Sequence, residues 1–147
     1  MEQIFKKFLV AIRGGDYHLL PEDVAVEELV VLLETAISRF PYAKQNLDSF
    51  DPELGWDFPL TRREESILVG LMLEEWITTA INGIDLATVD MTTSEIKTFS
   101  KGSQIATIIK WRDRVQADTD RLIALYHREE DNKPNFYKLG GDGSGGQ

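Results

Sequence analysis

TRREESILVGLMLEEWITTAIN, residues Thr61–Asn82, reads as a helix that is apolar nearly all the way round. Its start is written as a capping box: Thr61 can accept from the backbone N–H of Glu64, and the Glu64 carboxylate can reach back to the N–H of Thr61. Pro59-Leu60 suits an extended lead-in, and Leu60 stands where a hydrophobic staple would begin, with Glu65 at the partner position leaving that staple incomplete. Beyond the cap, Ile67, Leu68, Leu71, Met72, Trp76, Ala80 and Ile81 recur at helical steps and make one broad apolar face. Val69, Leu73 and Ile77 widen it almost to a full wrap. A helix of this kind belongs in the middle of a domain, with other elements packed around it. Asn82-Gly83 is its expected end, since glycine tolerates the left-handed conformation just past a helix.

Working outward, the segments on either side supply the partners. Glu2–Ile12 carries Ile4, Phe5, Phe8, Leu9 and Ile12, a one-sided helix stopped by Arg13-Gly14-Gly15-Asp16. Pro21-Glu22-Asp23 opens a second helix with proline and acids in its first turn. That helix should run to about Phe40, burying Val24, Leu29, Val30, Leu32, Leu33, Ala36, Ile37 and Phe40 before Pro41 closes it. Tyr42–Leu60 is a long connection for a small domain, and such connections tend to be functional or partly ordered. Its Trp56 and Phe58 alternate as in a short strand. Gly83–Ser94 reads as an exposed loop. Glu95-Ile96-Lys97-Thr98-Phe99 is a candidate half-buried strand that could pair with Trp56/Phe58 as a two-stranded ribbon. Ser100 can cap a last helix reaching about His127, with Ile105, Ile108, Ile109, Arg112, Val115, Thr119, Leu122, Ile123 and Tyr126 along one side. The fold class expected is all-α: a bundle of about four helices with a short β ribbon, spanning 1–130, and a flexible tail, 131–147. In that tail, Asn135, Phe136, Tyr137 and Leu139 precede a glycine-rich end. They read either as an anchor for a partner's groove or as a cluster that folds back on its own domain.

Composition narrows the function. With 147 residues and 42 % apolar side chains, one globular domain is expected. There is no cysteine, which removes disulfides, thiolate zinc sites and cysteine nucleophiles together. No segment has the length of a membrane span or the form of a signal peptide. Sixteen basic residues against twenty-five acidic ones leave a net charge of −9. Gripping nucleic acid by its phosphates needs the opposite balance, whereas a negative wall repels a duplex and lets it slide.

Catalytic patterns are sparse. His18 and His127 are far apart and in no metal-ligand spacing. Glu74-Glu75 are adjacent and point about 100° apart on a helix, so they make no ready acid–base pair; one should be solvated and the other paired with Arg62, Arg63 or a partner subunit. The acidic run Asp48, Asp51, Glu53, Asp57 has the wrong order for an EF-hand. Gly14-Gly15 lacks the Lys-Ser/Thr of a phosphate loop. Trp76 and Trp111 sit at core spacing. The expectation is a non-enzyme with no cofactor and no metal.

Two longer passages carry a resemblance. They are DFPLTRREESILVGLMLEEWITTAIN and, after a loop, IKTFSKGSQIATIIKWRDRVQADTDRLIALY. The succession Leu60-Thr61, Glu64-Glu65, Ile67-Leu68, Leu71-Met72, Glu75-Trp76, then Ile96-Lys97-Thr98-Phe99-Ser100, then Leu122 and Leu125-Tyr126 resembles the neck proteins of tailed bacteriophages, the head–tail connector (adaptor) group. The resemblance is better over Asp57–Tyr126, roughly half the chain, and looser over the first two helices; it rests on packing patterns. It implies a structural role in the virion neck for a protein made in the host bacterial cytoplasm. Such proteins form a closed ring of about twelve subunits below the portal protein. The ring carries a stopper or tail-completion protein and extends a channel through which DNA passes without specific binding. Asn135, Phe136, Tyr137 and Leu139 would then dock on the portal, and Ile67, Leu68, Leu71, Met72 and Trp76 would pack the core. Two other readings stand beside it. One is a small acidic helical interaction module of cellular origin, and the other a metal-dependent enzyme using Glu74, Glu75 or the Asp48–Asp57 loop.

Overall fold

A computed structural model describes residues 1–13, 24–89 and 95–131, with side chains described for 1–13, 24–83 and 102–129. Among these residues there are four α-helices: α1 (Glu2–Arg13), α2 (Val26–Arg39), α3 (Arg62–Val89) and α4 (Glu95–Asp131). A single 3₁₀ turn, Leu47–Ser49, lies in the connection between α2 and α3.

α3 is the centre of the described part of the molecule. Extensive contacts join α3 to each of α1, α2 and α4. Ile67, Leu68, Leu71, Met72, Trp76 and Ile77 are all buried, as the near-complete apolar wrap requires. Ile4, Phe5, Phe8 and Ile12 bring α1 onto it, with the Phe8 ring edge-on to Trp76 at 6.1 Å. Leu29, Leu32, Leu33, Ala36 and Ile37 bring α2. Later residues of α3 meet earlier residues of α4: Glu64 bonds Tyr126, Gly70 faces Thr119, and Trp76 meets Trp111 at 6.4 Å. The two helices therefore form an antiparallel hairpin, and α4, at 37 residues and about 1.5 Å per residue, is roughly 55 Å long. The polar middle of α4 is part of this packing. A Cβ on Gly70 would lie 2.2 Å from the Thr119 hydroxyl oxygen, so the missing side chain lets the two helices approach.

Four boundaries differ from expectation. The Trp56/Phe58 and Glu95–Phe99 ribbon is not formed: Glu95–Phe99 is the first turn of α4, and no strand occurs among the described residues. Ile96 and Phe99 lie three apart, a spacing that serves a helical face as well as a broken strand pattern. The Trp56 segment is held by a cluster of tilted aromatic rings instead, Phe50 to Trp56 at 4.8 Å and Trp56 to Phe58 at 6.5 Å, with Trp56 Nε1 donating to the Leu47 carbonyl at 2.9 Å. Asp51 and Gly55 form one isolated antiparallel bridge.

Gly83 does not end α3, which continues to Val89; glycine inside a helix costs only about 1 kcal/mol, too little by itself to stop one. Ser100 lies within α4 and does not cap it. α2 starts at Val26, after an Ala25 that makes no side-chain cap; Pro21–Asp23 lies outside the described residues, as do His18 and the tail with Asn135, Phe136, Tyr137 and Leu139.

Candidate functional site

Two buried glutamates on α3 hold the polar structure of the molecule. The first is Glu64, 1 % exposed. The capping box forms as written: Thr61 N–H donates to Glu64 Oε2 at 2.8 Å, and Glu64 N–H donates to the Thr61 hydroxyl at 3.2 Å. Two further donors arrive from elsewhere. Gln45 Nε2 reaches Glu64 Oε2 at 2.6 Å, and the Tyr126 hydroxyl, from the far end of α4, reaches Glu64 Oε1 at 2.8 Å. That hydroxyl in turn accepts the Lys44 backbone N–H at 2.8 Å, while Lys44 Nζ donates to the Tyr126 carbonyl at 2.8 Å and sits 4.4 Å from its ring centre.

Burial alone would raise the pKa of the Glu64 carboxyl. Hydrogen bonds from the Thr61 backbone, Tyr126, Gln45 and the Thr61 side chain outweigh it and hold the group below its ordinary value. A carboxylate kept ionised by several donors is an acceptor hub and poorly placed to shuttle protons. It fastens three pieces of chain: the start of α3, the end of α4 and the connection after α2. Arg63, whose guanidinium reaches Glu129 at 2.5 Å, reinforces the same junction. Lys7 pairs with Glu65, tying α1 to the same turn of α3.

The second glutamate is Glu74, 6 % exposed. The sequence pointed to Arg62, Arg63 or a partner subunit for the Glu74-Glu75 pair. The structure instead supplies Arg39, the last residue of α2, whose Nη2 lies 2.7 Å from Glu74 Oε2 and whose Nη1 lies 3.8 Å from Glu75 Oε2. Arg62 is exposed and Arg63 belongs to Glu129. The chain length between Arg39 and Glu74 hid this pair; only the packing of α2 on α3 brings them together. Glu74 Oε1 is buried and accepts no hydrogen bond. Beside it a pocket of about 260 Å³ is lined by Arg39, Glu74, Glu75, Thr78, Arg112 and Gln116.

Of the other candidates, Asp51 and His127 are held in local packing. In the acidic run, Asp51 Oδ1 accepts the N–H groups of Glu53 and Leu54, both at 2.8 Å, and the backbone closes on Gly55 with bonds of 2.9 and 2.7 Å. Gly55 has φ +79°, a conformation that favours glycine. No group of three metal-binding side chains occurs among the described residues. His127 packs edge-on to Tyr126 and Tyr42, with its Nε2 buried and unbonded. No described helix is long and apolar enough to cross a membrane.

Comparison with protein-family models, with curated proteins and with solved structures finds no match.

Proposed function

We propose that the protein is a structural component of a tailed-phage neck, forming an oligomeric ring between portal and tail that extends the DNA channel. The observation that supports this reading is the junction at Glu64. The resemblance to connector proteins begins at Leu60-Thr61 with the capped helix and ends at Leu125-Tyr126, and these two ends meet through the Tyr126–Glu64 hydrogen bond of 2.8 Å. The matching passages thus form one packed hairpin, a scaffold whose most buried polar residue serves cohesion. The net charge of −9 suits a wall past which DNA slides without being held.

In this reading the portal protein and a stopper or tail-completion protein are the partners, with further copies of the chain completing the ring. Asn135, Phe136, Tyr137 and Leu139 dock on the portal; a segment that orders on binding loses entropy but reaches far.

The test is negative-stain imaging of the purified protein, alone and mixed with the portal protein of the same genome. Rings that form, or that stack on the portal, are the expected result. A monomer that ignores the portal would overturn the reading in favour of a cellular interaction module. Deleting the residues after Asp131 should leave a folded domain that no longer attaches to the portal; attachment that survives the deletion removes the docking role from the tail.

A further inference from the structure

α4 packs along α3 and makes no more than slight contact with α1 and α2 among the described residues, so its opposite side meets solvent. The residues on that side fall into three columns that repeat every seven positions. Ala117 and Ala124, both exposed, form the middle column. Asp113 and Asp120 run along one flank of Ala117, and Arg114 and Arg121 along the other, at helical steps of three and four residues. All four charged side chains are exposed as well. The flanks are thus sorted by sign, with a strip of small side chains between them. Pairing within the helix does not explain the sorting. Arg121 has Asp118, which lies beyond the arginine flank, at 3.7 Å, and Asp113 has Arg112 Nε at 3.9 Å; such exposed contacts contribute little in water. Arg114 and Asp120 make no ion pair among the described residues. A face that serves only solvent interleaves its charges, whereas this one keeps acids to one side of the alanines and guanidinium groups to the other.

We infer that this face of α4 docks a second copy of the chain, the two α4 helices lying side by side and parallel. Charge complementarity decides both the occupant and the direction. In a parallel helix pair, one flank of the seam faces the opposite flank of the partner, as the e and g positions do in a parallel coiled coil. Asp113 and Asp120 of each copy then meet Arg114 and Arg121 of the other. An antiparallel pair would set acid on acid and arginine on arginine, which repel. Ala117 and Ala124 put only methyl groups between the two backbones, so the helices approach closely and the flanking side chains reach across. The whole chain carries −9, which opposes contact between copies over most of the surface. Here the four flanking charges sum to zero, and the face is complementary to itself. With few apolar groups in the seam, the charges set the choice of partner more than the tightness of binding. The inference goes beyond the ring reading, since it needs only that copies of the chain meet. A closed pair and neighbours in a ring both satisfy it.

The experiment is sedimentation of the full chain against two charge-reversed forms, Asp113→Lys with Asp120→Lys and Arg114→Glu with Arg121→Glu. All four sites are exposed, and circular dichroism checks that each form keeps its helices. The unaltered chain should associate, and each reversed form alone about a hundredfold more weakly, because its two flanks now carry one sign. An equimolar mixture of the two forms should recover the association, each flank again finding its opposite. Direction is read separately. The chain has no cysteine, so Ala117→Cys and Ala124→Cys, made one at a time, give one thiol per copy. A short bismaleimide should link copies at both positions, and linkage at only one of them would overturn the parallel arrangement. A reversed form that associates as tightly as the unaltered chain would overturn the inference, as would an unaltered chain that stays monomeric at every soluble concentration. Association that appears only after the residues beyond Asp131 are deleted would overturn it too, with the chain's own tail as the occupant. Rings on the portal that survive both reversals would strike this contact and leave the ring reading standing. Pairs that are lost on reversal but never close into rings would uphold the contact and strike the ring.

Discussion

Glu64 and Glu74 lie about three turns apart on one helix, both buried, and they have opposite fates. Every direction around Glu64 is answered: two donors reach one oxygen, a third reaches the other, and the residue caps its own helix. Glu74 has one oxygen paired with Arg39 and one with nothing, beside a pocket. The lesson is that burial of a carboxylate does not announce its role. A fully answered carboxylate is a fastening, since removing it strands several donors at once. A half-answered one leaves a buried oxygen unpaired, a cost that the surrounding packing has to offset.

The largest effect should come from breaking the fastening. Glu64→Ala would strand the Tyr126 hydroxyl, the Gln45 amide and the Thr61 N–H together. A loss of about 3 kcal/mol in urea unfolding is expected; a loss under about 1 kcal/mol would mean that water replaces the carboxylate easily. The same residue sets a pH signature. Because its folded pKa is depressed below the ordinary 4.5, its contribution is present above that value and fades as pH falls through the lower folded pKa. Glu64→Gln should therefore flatten the acid side of the stability profile, and a profile of unchanged slope would assign that titration to other carboxylates.

Next in size is Gly70, whose added Cβ would meet Thr119. Gly70→Ala should cost about 2 kcal/mol by overpacking, and pairing it with Thr119→Ala should recover much of that loss. A double mutant that merely adds the two single losses would show that the helices separate instead of clashing there. Tyr126→Phe removes two hydrogen bonds, the one given to Glu64 and the one accepted from the Lys44 N–H, and keeps the ring against Phe40; about 1.5 kcal/mol is expected in the same unfolding assay. The smallest effect should be that of Glu74→Gln, about 0.5 kcal/mol, because Arg39 is partly exposed and such pairs contribute little. A loss at Glu74 equal to that at Glu64 would erase the contrast between the two sites.

Much of the fold was legible. The apolar wrap of Thr61–Asn82 placed α3 at the centre, and Thr61 with Glu64 announced the cap that forms. Phe8, Leu33 and Ile108 were readable from period alone. The ribbon was not, because Ile96 and Phe99 satisfy a helical face as readily as an alternating one, and the long helix that follows extends through them. The end of α3 was misread at Gly83 since a glycine permits termination without enforcing it. Of the site, Glu64 was visible only as a cap. Tyr126 and Gln45, which make it a junction, carry no sequence signal that links them to it. Arg39, the partner of Glu74, is likewise separated from it by the whole α2–α3 connection.

By itself, then, the sequence determined what repeats locally: helical periodicity, capping chemistry, a net charge of −9 and the lack of any cysteine. Tertiary structure decided which distant polar groups meet, and so which glutamate is a fastening and which borders a pocket. The physical reason is range. Periodicity and caps act over one or two turns of chain, whereas the Tyr126–Glu64 and Arg39–Glu74 contacts exist only after apolar burial has brought α2 and α4 onto α3, and nothing in the residues between them encodes that meeting.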